Sequence, residues 1–260
     1  MPSGFARSIE FSDSLLQLPA IEAESNRRDA PKWLLCSHLY SGVQCWIILQ
    51  HGPVNKATRH DSVRPLNHSM SATLHMLEEP VSRLAEASNI PIRFHVRSIF
   101  QVEGDDPQTA ILTEVPVEHA WVKDYDAVKG QGPASWCVRW DVANWGLLAA
   151  YIDARRVAVC TLAHNTDGVN ALEGRSDVAC VWDLRVHPDS RHQGIGRQLF
   201  AAAAYWASAR GCRELMVETQ NVNVPACRFY QQQGCRLASI GRHAYQEFPE
   251  EIKLIWSLTL

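Results

Sequence analysis

The sequence predicts a mixed α/β (α+β) domain, a central sheet flanked by helices, behind a poorly patterned N-terminal extension. Three observations carry this. Val178 to Val186 is rich in β-branched and apolar residues, as buried strands are, and leads past Pro188 into Ile195, Leu199, Phe200, Ala203, Trp206 and Ala207, which are spaced like one helix face. Trp145 to Ile152 and Val157 to His164 read as the strands of a hairpin turning at Asp153-Ala154-Arg155-Arg156. Glu214 to Thr219, Val224 to Gln233 and Arg236 to Ile240 give a strand, a helix and a strand, and Ile252 to Leu258 closes the sheet.

The elements follow in order. Residues 1–69 show poor apolar periodicity and are punctuated by Pro2, Pro19, Pro31, Pro53 and Pro65. Such a stretch buries little apolar surface against its ordering entropy. It is expected to be disordered or non-native, outside the folded domain. A start at Met70 and a genuine flexible extension both account for it. Residues 70–89 read as a linker or short helix, because Leu74, Leu77, Val81, Leu84 and Ala85 follow helical spacing, with Pro80 interrupting. From residue 90 the main domain begins. Ile90, Ile92, Phe94 and Val96 alternate as a strand does. Ile111 to Val128 is mixed in character, and Gly130 to Pro133 is a loop. Trp136, Trp140 and Trp145 either pack against the sheet or line a pocket, packing being the simpler reading. Gly211 suits the C′ position of the first long helix, and Asn223 and Gly234 suit the two ends of the second.

Composition narrows the class. The chain has 260 residues, 46% of them hydrophobic, with a formal net charge of −3. That balance argues against nucleic acid as a partner and leaves a small cationic substrate open. Eight cysteines occur without a Cys-x-x-Cys pair, several inside apolar runs, which suggests reduced thiols and a cytoplasmic location. Cys36, His38, Cys45 and His51 fit no common zinc spacing, so no metal is expected. No apolar run approaches the roughly 20 residues of a spanning helix, and no leader pattern opens the chain, so no membrane partner is expected.

The chemistry centres on Arg191-x-x-Gly194-x-Gly196, a turn between a strand and a helix. The first turn of a helix has backbone N–H groups without intrahelical partners and a partial positive charge. With glycines in place of side chains, such a turn can cradle a pyrophosphate. It is not a dinucleotide fingerprint, because Leu199 stands where the third glycine would fall, and no Gly-Lys-Ser/Thr follows to make a P-loop.

The longer pattern Leu184-x-Val186-x-Pro188-x-x-Arg191-x-x-Gly194-x-Gly196 resembles the acetyl-CoA motif of the GNAT N-acetyltransferases. A second block, Asn223-x-x-Ala226-x-x-Phe229-Tyr230-x-x-x-Gly234-Cys235, resembles the family's last helix and following strand, with Cys235 where Phe is common. The resemblance covers roughly residues 90–260. Leu215 to Asn223 is most similar to the streptothricin acetyltransferases, and Val122-Lys123-Asp124-Tyr125-Asp126 looks like their early region.

The resemblance implies a GNAT-like central mixed, mostly antiparallel sheet and acetyl-CoA as cosubstrate. Backbone groups near Leu184 and Val186 would meet the pantetheine and acetyl oxygen. Those of Arg191, His192, Gln193, Gly194, Ile195, Gly196 and Arg197 would hold the pyrophosphate, with Asn223 close by. Tyr230 matches the family tyrosine that can protonate the leaving thiolate, the alternative being that it only packs with Phe229. Glu218 and Asp183 are the catalytic carboxylates on offer, each as base, as cation binder or as a structural partner of an arginine. Asp124 and Asp126 would add negative charge for a polycation, and His187 and His192 flank the pyrophosphate turn. The implied substrate is a small cationic amine, an antibiotic such as streptothricin. Another aminoglycoside-like amine, a protein or peptide amine, or a non-catalytic acetyl-CoA-binding module are the alternatives. Monomer and homodimer both stay open.

Overall fold

A computed structural model describes residues 73–260 together with two strands, Leu34–Tyr40 (β1) and Val43–Leu49 (β2). The rest of the expected extension, and the side chains of Cys36, His38, Cys45 and His51, lie outside the described residues. Then come β3 (Leu74–Glu79), a 3₁₀ segment at Val81–Asn89, β4 (Phe94–Glu103), β5 (Ile111–Lys123) and the short helix α1 (Trp136–Arg139). The chain continues through β6 (Gly146–Ile152), β7 (Arg155–His164), β8 (Val178–Val186), α2 (Ile195–Ser208), β9 (Glu214–Gln220), α3 (Val224–Gln232), β10 (Arg236–Gly241) and β11 (Lys253–Thr259).

Nine strands form one sheet in the order β1-β2-β3-β6-β7-β8-β9-β11-β10, while β4 and β5 pair as a separate antiparallel ribbon. Neighbours in the large sheet are antiparallel except β8 and β9, which are parallel and joined through α2. Parallel neighbours need such a crossover, whereas β6 and β7 close through a tight turn with Asp153 at φ 53°.

Residues 74–79 are strand where helical spacing was expected. Pairing with β6 decides it: Met76, buried at 2% exposure, lies opposite Ala150 in a ladder running from Leu74 to Glu79. The buried Glu79 disguises the strand, because its carboxylate is neutralised by Arg156 and Arg83 and accepts from the Tyr151 hydroxyl at 2.5 Å. Pro80 then ends the strand, and the apolar positions Leu84 and Ala87 go to a 3₁₀ segment. The sheet thus reaches upstream of residue 90.

Both faces of the sheet are covered. On one, Leu199, Phe200, Ala203, Trp206 and Ala207 of α2 and Cys227 and Tyr230 of α3 pack on Leu148, Cys160, Ala179 and Val217. Trp206 lies so close to β6 that a Cβ at Gly146 would stand 2.5 Å from its indole, which explains a glycine inside a strand. On the other face, Trp136 and Trp145 join Leu84, Val159, Val178 and Met216. Trp140 and Trp182 complete a group of four indoles with ring centroids 4.7–6.5 Å apart. The two most buried satisfy their N–H groups, Trp136 on Gln131 O and Trp145 on Thr166 Oγ1, each at 2.9 Å.

Candidate active site

The site begins with a defect in the central strand. Thr161 pairs with Asp183 and Leu162 with Val181, so Trp182 is an extra residue on β8. A bulge of this kind bends its strand and increases the local twist. Pairing of β8 with β9 stops at Val181 opposite Val217, although β8 runs on to Val186 and β9 to Gln220. The strands part there, and a cleft of about 1170 Å³ opens between them.

One end of the cleft is the turn into α2. His192 and Gly194 both have positive φ, 62° and 78°. A Cβ at Gly194 would meet no protein atom within 4 Å, so that side of the turn is open to a ligand. The first helical bond of α2 runs from Gln198 N–H to Gly194 O at 3.1 Å, leaving the preceding N–H groups for whatever binds there. Leu184, Val186, Arg191, His192, Gly194, Ile195, Gly196, Arg197 and Asn223 all line the cleft. Gln193 does not: its side-chain amide turns back to donate to Asp189 O at 3.2 Å. The Arg191 guanidinium is occupied too, donating to Val186 O at 3.0 Å and Pro91 O at 3.5 Å, so its side chain braces the turn.

Tyr230 is brought to the cleft by α3. Asn223 caps that helix, its side-chain oxygen accepting from Ala226 N–H at 3.2 Å. The Tyr230 ring packs edge-on against Phe200 and Phe229, with centroids 5.5 and 5.0 Å away, and is only 6% exposed. Burial, with Cys160 and Asp183 nearby, pushes its phenol well above the usual value of 10. On the other face of the sheet, burial first and Glu218 second push the Cys180 thiol up to about 12.

Five carboxylates line the cleft: Asp126, Asp183, Glu218, Glu247 and Glu251. Asp183 lies on β8 beside the divergence, but it is 6% exposed and held by Arg185 Nε at 2.7 Å. Burial raises its pKa, and Arg185 opposes that rise. Arg185 also forks onto Asp126, Nη1 to Oδ2 at 2.5 Å and Nη2 to Oδ1 at 2.9 Å. Glu218 stands across the gap on β9, exposed, accepting from the Tyr245 hydroxyl at 2.7 Å. Glu251 lines the cleft too: Lys123 pairs with it, Tyr125 donates to it at 2.9 Å, and the Lys123 ammonium lies 3.2 Å from the Phe248 ring centre. Asp124 is not on the wall, since its carboxylate accepts from Asp126 N–H at 3.1 Å and shapes the loop. His187 lies beside Arg155 and Asp189, away from the cleft, and only His192 of the two histidines faces it. Sequence reading passed over Lys123, Arg185, Tyr245 and Glu251. The one signal for them was the Val122 to Asp126 similarity, which includes Lys123 and Asp126.

Residues 115–235 match the acetyltransferase (GNAT) family. The likeness to the GNAT acetyltransferases lies in that segment, just under half of the chain. The chain is 34% identical over 80 residues to streptothricin acetyltransferase A of Bacillus subtilis (strain 168), a match covering 30% of this chain and 46% of that relative's length. It is 26% identical over 186 residues to a streptothricin acetyltransferase of Escherichia coli, covering 70% and 92%. Among solved structures, a nourseothricin acetyltransferase superposes with a TM-score of 0.55 at 22% identity, covering 72% of this chain and 98% of the other. A protein of Bacillus anthracis str. Ames, solved in complex with acetyl coenzyme A, gives 0.57 at 21% identity, covering 72% and 100%. These two likenesses show the fold. Among the described residues no helix is long and apolar enough to cross a membrane.

Proposed function

We propose that this acetyltransferase moves the acetyl group of acetyl-CoA onto a primary amine of a small cationic substrate of the streptothricin kind. The observation that carries the reading is the parting of β8 and β9 after Val181 and Val217, with Glu218 on one wall and Tyr230 on the floor. The streptothricin acetyltransferases it resembles supply the substrate class.

Acetyl-CoA brings an activated thioester; the chain has to hold it, take a proton from the amine and return one to sulfur. The open turn at Gly194 and the N–H groups of residues 192–197 suit the pyrophosphate. The edge of β8 beyond Val181, Leu184 and Val186 included, has no β9 partner and offers backbone groups to the pantetheine. An alkyl amine with a pKa near 10.4 arrives protonated at neutral pH. Glu218 accepts that proton, directly or through water, because its carboxylate is exposed to the cleft and bears no cationic partner among the described ion pairs. Asp183 serves instead as the buried partner of Arg185. Tyr230 holds the proton that the leaving sulfur takes. Its burial keeps the phenol protonated at neutral pH, so a proton is in place when the thiolate forms.

The test is thiol release from acetyl-CoA with streptothricin and a panel of alkyl amines. Turnover on streptothricin is the expected result. Release with no amine would remove the catalytic reading, and release with other amines but not streptothricin would remove the substrate. The cofactor end is tested separately. Gly194→Asp places a carboxylate where the pyrophosphate would lie and should weaken acetyl-CoA binding about tenfold or more in calorimetry. Unchanged affinity would take the phosphates out of this turn.

A further inference from the structure

Asp126, Arg185 and Asp183 form a chain of charge running from the cleft wall into the core. The Arg185 side chain is 1% exposed and that of Asp183 3%, while Asp126 retains 25%. Two carboxylates face one guanidinium, so one negative charge is left over when all three are ionised, and Asp126 is the only member that presents it to solvent. Each Asp126 oxygen gives one lone pair to the guanidinium fork and keeps another for a ligand N–H. Its position is fixed from both sides. The loop is turned by Asp126 N–H on Asp124 Oδ1, and Arg185 is itself anchored by Nη1 on Ile90 O at 3.2 Å. Tyr125, Trp136 and Trp182 line the same cleft. Glu218 lies on the opposite wall, beyond the point where the strands separate.

We propose that Asp126, aimed by Arg185, selects substrates carrying a second cationic group besides the amine that reacts. The inference rests on the amine-acetylation reading above and names what that site discriminates. Glu218 meets the reacting amine on the β9 wall, and Asp126 holds a distant ammonium or guanidinium on the β8 wall. Arg185 is a positioning residue, acting only through Asp126.

The test is calorimetric binding of hexylamine and hexamethylenediamine to the full chain, with thiol release measured beside it. Wild type should bind the diamine about ten- to a hundredfold more tightly, the scale of one hydrogen bond to a charged group. Asp126→Asn should abolish most of that ratio. Arg185→Lys keeps the charge but loses the fork and should lower the ratio partway. A wild type without preference overturns the proposal, as does a ratio intact in Asp126→Asn or a loss shared equally by both amines. If Asp126→Asn fails to fold, Asp126→Glu carries the test. It keeps the charge and adds one methylene of reach, so the preference should move toward the shorter putrescine, and an unmoved preference counts against the proposal. Thiol release with neither amine, while the binding ratio stands, removes the acetyl-transfer reading alone.

Discussion

Tyr230→Phe is expected to lower the maximal rate of acetyl transfer by about 10²–10⁴-fold, the usual contribution of a positioned acid, with little change in acetyl-CoA affinity. The substitution keeps the ring that packs on Phe200 and Phe229 and removes only the hydroxyl. Packing is therefore preserved, and a loss of rate reports the proton. Burial holds the phenol protonated well beyond neutral pH, so the acid is loaded before each turnover. The measurement is steady-state thiol release on the same amine for both proteins. A fall in kcat with KM for acetyl-CoA retained fits a group needed only as sulfur departs. An unaltered kcat would assign Tyr230 to packing alone.

Much of this arrangement was legible in local sequence, because local rules set it. Helical spacing from Ile195 to Ala207 marks the face of α2 that is buried, and Asn223 caps α3 as its side chain suggested. The β6–β7 hairpin and the strands β8, β9 and β11 follow their apolar runs within about two residues. β3 reads as helical because its buried residues, Met76 and Glu79, are three apart and Met76 and Leu77 adjoin, so no period-two pattern marks the strand.

The cleft walls were harder to read for a different reason. Lys123 meets Glu251 across 128 positions, and Arg185 meets Asp126 across 59. No local period records such a contact. Asp183 shows the consequence. Its place on β8 suggests base, cation binder and structural partner alike, and the contact with Arg185 that favours the last is itself set by the fold. The bulge at Trp182 was likewise silent, since an extra residue in an apolar run leaves its composition unchanged.

The second large effect is on stability. Arg185→Met should destabilise the fold by about 3–5 kcal/mol at neutral pH, the range for removing one partner of a buried ion pair. Methionine fills much of the same space, so the loss is chiefly electrostatic: Asp183 is left buried and uncompensated, and Asp126 loses its fork. The pH dependence separates this from a packing defect. Burial already raises the folded pKa of Asp183, and Arg185 is the main force pulling it down. Without Arg185 the folded value rises further above the unfolded value of about 3.9. A carboxylate with a raised folded pKa binds its proton more tightly in the native state. Its penalty is complete above the folded value, shrinks as pH falls through that value, and vanishes near the unfolded one. Urea denaturation of wild type and variant at pH 7 and pH 5 should therefore show a deficit that narrows in acid. Replacing Asp183 by Asn in the Arg185→Met background should recover much of it at pH 7 and flatten the pH dependence. A deficit below about 1 kcal/mol, or one equal at both pH values, would mean that Asp183 takes no uncompensated charge into the core.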